Sequence, residues 1–128
     1  MTRKRRSSDL TEQSADELVA AYRAAALNHG QATEDGDAKR CNSAYDQLSR
    51  IRRELSRRGP EYPQCLLALL SDEALSVRVW AASEALSFAP DDGLRVLRQI
   101  ADGPPGAMRL NAEMVLQRWD AGEWTPIP

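Results

Sequence analysis

Residues Val77-Arg78-Val79-Trp80-Ala81-Ala82-Ser83-Glu84-Ala85-Leu86 have an imperfect copy in Met108-Arg109-Leu110-Asn111-Ala112-Glu113-Met114-Val115-Leu116. Aligning Val77 with Met108 gives a spacing of 31 residues, which places Arg78 on Arg109, Ala81 on Ala112 and Ala85 on Leu116. A repeat of this period constrains the fold more than any other feature of the chain. One such unit cannot bury its apolar face alone, so it must stack on a neighbour. Small residues at 81, 82 and 85 allow close helix packing; the second unit departs from the first where Glu113 replaces the second alanine.

The composition agrees with a helical unit. Nineteen alanines and fifteen leucines stand against twelve Val, Ile and Thr residues together. Ala and Leu lose little side-chain freedom in a helix, whereas β-branched residues lose more, so strand-rich folds are disfavoured. The longest apolar run, Cys65 to Leu70, is too short to span a bilayer. The basic start, Met1 to Arg6, continues into the polar stretch Ser7 to Gln13 and lacks the apolar core of an export signal. Cys41 and Cys65 have no metal or redox spacing and read as reduced structural thiols. The expected compartment is cytoplasmic.

Along the chain, residues 1–12 read as a loose basic arm and 13–128 as a single helical domain. Ser14-Ala15-Asp16-Glu17 is a capping box, in which the serine hydroxyl and Glu17 each satisfy a free amide of the first turn. Leu18, Tyr22, Ala25 and Ala26 follow as one apolar stripe, expected to end near Asn28 with Gly30 as the stop and 31–36 as a turn. A second helix from Asp37 carries Cys41, Ala44, Tyr45, Leu48, Ile51 and Leu55 on one face and ends at Gly59-Pro60. A short apolar helix at 63–70, a helix at 77–86, one capped by Asp91-Asp92 and one from Met108 to about Asp120 complete the set.

A short helix, an acidic turn and then apolar-Arg-x-x-Ala-Ala-x-x-Ala-Leu resembles the HEAT-repeat pattern over residues 61–120. The resemblance implies an all-α chain of about six helices in three antiparallel HEAT-like pairs, a minimal α-solenoid. It also implies that Arg78 reaches an acidic turn, with Asp72 the candidate partner. Through Val77 to Ala82, Phe88-Ala89-Pro90, Asn111-Ala112-Glu113, Trp119 and Gly122-Glu123, the layout resembles a small bacterial HEAT-like family of unknown function. Members of that size are similar to single-domain binding proteins, and some are candidate immunity partners of secreted toxins.

The residues themselves suggest no catalysis. Nucleotide-binding glycine motifs are absent from the sequence. His29, the single histidine, has no carboxylate or thiol spaced to join it, and Glu34, Asp35 and Asp37 lack the spacing of a calcium loop. No cofactor or metal is expected, and the chain is expected not to be an enzyme. Charge is the sharper signal. Residues 39–58 hold seven basic and two acidic side chains, residues 61–123 five basic and ten acidic, within a chain of net charge −2.

Two functions follow from that polarity. In the leading one, an acidic face steers a basic protein partner onto the repeat, with Trp80, Ser83, Glu84, Asp91, Asp92, Asn111, Glu113, Met114 and Arg118 as the contact residues. The partner is then a toxin whose active or target-binding surface is occluded by an immunity protein, as a monomer or a 1:1 heterodimer and away from membranes. In the alternative, Arg50, Arg52, Arg53, Arg57 and Arg58 on the second helix contact nucleic-acid phosphates, as a scaffold or regulatory protein would. Trp119 and Trp124 are expected to hold down the proline-ended tail.

Overall fold

The computed structural model describes residues 9–126, and every regular element among them is helical. Five α-helices, α1 (Ala15–Asp35), α2 (Ala38–Arg58), α3 (Leu75–Ala85), α4 (Pro90–Ala101) and α5 (Ala107–Asp120), are joined by a ten-residue 3-10 helix, Tyr62–Ser71, between α2 and α3. A single 3-10 turn, Leu10–Glu12, precedes α1. Each helix packs on its neighbour in sequence, and α3 also reaches α1 and α5.

The ends of α1 show how local sequence and packing divide the work. The capping box forms in full: Glu17 N–H donates to Ser14 Oγ at 3.1 Å and Ser14 N–H to Glu17 Oε1 at 2.8 Å. The expected stop at Gly30 does not occur. The helix runs through it to Asp35 and closes on Gly36, whose φ of 69° is the left-handed cap that favours glycine. Gly30 has another purpose: a Cβ there would lie 2.6 Å from Ser76 Cβ, so the missing side chain lets α1 approach α3. Gly93 does the same for α4, where a Cβ would lie 2.6 Å from the Ala82 carbonyl oxygen of α3.

Two apolar clusters fill the interior. The first joins α1, α2, the long 3-10 helix and α3 through Leu18, Tyr22, Leu48, Ile51, Leu55, Leu66 and Val77. The second joins α3, α4 and α5 through Val79, Ala82, Val96, Leu97, Ile100 and Ala112. Ala81, Ala82 and Ala85 are essentially inaccessible, as the repeat requires. Trp119 and Trp124 meet edge to face, with centroids 6.0 Å apart, and both pack on the second cluster, so the tail is held at Trp124, while residues 127–128 lie outside the described residues.

Three expectations are corrected besides Gly30. Of the basic arm, residues 1–8 lie outside the described residues, but Leu10–Glu12, capped by Asp9, form a docked 3-10 turn rather than a loose segment. Leu10 packs on the first cluster, and Arg58 Nη2 donates to the Leu10 and Gln13 carbonyls at 2.9 and 2.7 Å. Asp91 and Asp92 do not cap α4; they lie inside its first turn behind Pro90, where negative charge suits the positive end of the helix dipole. Asp72 is hydrogen-bonded by Arg23 of α1, through Nε at 2.6 Å and Nη2 at 3.3 Å, while Arg78 acts on it through its charge alone. This grip holds the Asp72 carboxyl below its ordinary range.

Candidate functional site

A cleft of about 380 Å³ opens where α1, α2, α3, α5 and the tail converge. Four different segments contribute its aromatic wall: His29 from α1, Tyr45 from α2, Trp80 from α3 and Trp124 from the tail. The Trp80 ring meets His29 edge-on with centroids 5.0 Å apart and Tyr45 at 6.1 Å. Behind it, the Tyr22 hydroxyl donates to the Trp80 carbonyl at 3.3 Å, tying the backbone of α3 to α1. Trp80 Nε1 is buried with no hydrogen-bond partner among the described residues.

The opposite wall comes from α5. Asn111, Met114, Val115 and Arg118 recur at three- and four-residue steps, which puts them on one helix face. Met114 is 55% exposed, and Arg118 has no ion pair among the described residues. On α3, Ser83 donates its hydroxyl to the Val79 carbonyl at 2.8 Å, so that group is already occupied. Burial lowers the pKa of His29, which favours the neutral imidazole beside the Trp80 ring. The cleft therefore offers aromatic and thioether surface with one free guanidinium at its edge.

Of the nine residues that the sequence pointed to, Trp80, Ser83, Asn111, Met114 and Arg118 line this cleft together. The other four do not. Glu84 is 5% exposed and receives Arg52 Nε at 2.6 Å, so it is an internal counterion and no contact residue. Glu113 lines a separate hollow with Leu110 and pairs with Arg109 at 3.4 Å. Asp91 and Asp92 stand at the start of α4, and Asp92 pairs with Arg95 at 3.4 Å. His29, Tyr45 and Trp124 were missed as site residues, because nothing in the linear pattern shows which turn of α1 or α2 faces α3.

The arginines of α2 are likewise divided. Arg52 turns to Glu84, while Arg57 and Arg58 both grip Glu54, at 2.7 Å each. The two guanidiniums hold the Glu54 carboxyl down at about 2. Arg50 and Arg53 remain, and with Arg40, Tyr45 and Asn28 they line a broad hollow of about 870 Å³ on the outer side of α1 and α2. Three of the five expected phosphate contacts are thus engaged with carboxylates inside the protein. No group of three metal-ligating side chains gathers among the described residues, and no helix among them is long and apolar enough to cross a membrane.

A domain of unknown function (DUF2019) matches residues 16–120. The chain belongs to that family, and the matched span contains every cleft residue except those of the tail. Among solved structures, the crystal structure of the protein RPA1889 from Rhodopseudomonas palustris is similar, with a TM-score of 0.86 and 25% identity. That likeness covers 94% of this chain and 99% of the other. No curated protein matches.

Proposed function

We propose that this chain is a cytoplasmic protein-binding domain, a short α-solenoid of HEAT-like helix pairs, that acts as an immunity protein by occluding the working surface of a toxin. The observation that carries the reading is the cleft, where Trp80, Trp124, Met114 and Arg118 converge from three segments. Tryptophan and arginine dominate the energetic centres of protein interfaces, and methionine adapts to an inserted side chain. Met114 and Leu110 leave large apolar side chains in water on the adjoining face of α5, at 55% and 61% exposure. Asp120 and Glu123, both exposed and without ion pairs among the described residues, flank this end of α5. Toxins that act on RNA or DNA present basic surfaces, so these carboxylates would speed the encounter.

The experiment is capture with the tagged full chain at low and high salt, followed by reconstitution with the purified captured protein. A stoichiometric complex that survives high salt, relieves growth inhibition by that protein, and is lost in Met114→Asp or Arg118→Glu supports the reading. A captured protein that is not toxic, or one bound equally by both variants, refutes it.

The hollow bearing Arg40, Arg50 and Arg53 beside Tyr45 favours a second reading, in which a nucleic-acid backbone lies across α2. Binding would then fall steeply with salt and vanish in the double variant Arg50→Glu, Arg53→Glu.

A further inference from the structure

Five arginines among the described residues are anchored in one way. Arg23, Arg52, Arg57, Arg58 and Arg109 each direct Nε at a carboxylate oxygen, at distances of 2.6 to 3.4 Å. Arg78 does not: its Nε is buried and has no hydrogen-bond partner among the described residues. The acidic turn that the repeat pattern offers it, Asp72, feels the charge of Arg78 but is hydrogen-bonded by two nitrogens of Arg23 instead. A buried guanidinium nitrogen without an acceptor carries a desolvation cost that a protein does not leave uncompensated without reason.

Arg78 is also not alone. Arg109, its counterpart 31 residues later in the repeat, lines the same small hollow between α3, α4 and α5. Leu75, Gln99, Ile100, Gly103 and Pro104 complete the wall, and the volume is about 160 Å³. That is below the roughly 300–1,000 Å³ of pockets that take drug-sized ligands. Arg109 is steadied there by Nη1 donating to the Gly103 carbonyl at 3.2 Å and by a long contact to Glu113 at 3.4 Å. Two guanidiniums that line one small hollow repel each other, and an anion between them would relieve that repulsion.

We infer that the hollow between Arg78 and Arg109 is a binding site for a small tetrahedral oxyanion of the phosphate class. A guanidinium can present a bidentate fork to such an anion, and Arg78 and Arg109 bring two of them to this wall. Gln99 in the same wall carries a neutral amide suited to a third oxygen. A phosphate carries about −1.5 to −2 charge near neutral pH, more than one carboxylate brings to two guanidiniums. The anion would tie α3 to the α4–α5 turn at Gly103, a role separate from the aromatic cleft.

The test is a titration of the full chain with inorganic phosphate against potassium chloride of equal ionic strength, read by the arginine Nε–H resonances. Saturable shifts at Arg78 and Arg109, with Arg50 and Arg53 unmoved, are the expected result. Arg109→Gln, half-exposed and safe for folding, should raise the phosphate dissociation constant about tenfold, the worth of one charge-assisted hydrogen bond. Phenyl phosphate serves as a second probe: equal binding assigns the site to a phosphate ester, weaker binding to the free anion. Shifts that do not saturate, that appear equally at Arg50 and Arg53, or that persist at full affinity in Arg109→Gln would overturn the inference.

Discussion

Arg52 on α2 and Glu84 on α3 form a nearly buried ion pair, Nε to Oε2 at 2.6 Å, with side-chain exposures of 19% and 4%. The pair joins the basic segment of the chain to the acidic one, so part of the charge polarity is neutralised internally. Burial pushes the Glu84 carboxyl up and Arg52 pulls it down, with burial the stronger. Arg52→Ala strands a buried carboxylate and should destabilise by about 3–5 kcal/mol, whereas the double variant Arg52→Met, Glu84→Leu should be close to neutral. Urea unfolding of Arg52→Met, Glu84→Leu and the double variant closes the cycle.

Gly30→Ala and Gly93→Ala should both destabilise, by about 1–3 kcal/mol, since each places a Cβ 2.6 Å from α3. They differ in rescue. The obstacle to Gly30 is the Ser76 side chain, so adding Ser76→Gly should recover much of the loss. The obstacle to Gly93 is the Ala82 carbonyl, which no side-chain change removes. Thermal melts of the three variants separate the cases.

Glu54 should dominate part of the acid response. Its carboxyl, covered by Arg57 and Arg58, is lowered from 4.5 to about 2. A lowered folded value means stability present above pH 4.5 and lost as pH falls toward 2. Glu54→Gln should melt below the parent at pH 7, and the gap should narrow through that window. A gap that is constant with pH would show that the carboxylate charge contributes nothing.

Met114→Ser and Arg118→Glu should leave the melting temperature nearly unchanged, within about 0.5 kcal/mol of stability, because both side chains face solvent at the cleft. Trp80→Ala should cost about 3–5 kcal/mol, because its ring packs on the first apolar cluster between His29 and Tyr45. A calorimetric melt of each purified variant distinguishes surface from core at this site.

Helix identity was legible because period and caps are local properties: Ser14, Asp37 and the Gly59-Pro60 break all mark real boundaries. Gly30 misled because the same residue serves as a terminator or as a close-packing contact, and only the position of Ser76 distinguishes them. Half of the cleft, Trp80 with Ser83 and Asn111 with Met114 and Arg118, follows from helical spacing on the two repeat units. The other half was hidden, since His29 and Tyr45 depend on how α1 and α2 lie against α3. The acidic candidates failed for a related reason: a sequence shows charge but not its counterion, and Arg52 stands 32 residues before Glu84.

The Tyr22 hydroxyl bond to Trp80, the Arg23 grip on Asp72 and the Gly30 approach to Ser76 all cross the Gly59-Pro60 break. The repeated half is therefore no autonomous module, although its sequence period suggests one. Recombination or truncation at that break would remove half the aromatic wall along with the support for α3, so the first hairpin and the repeat must be inherited together.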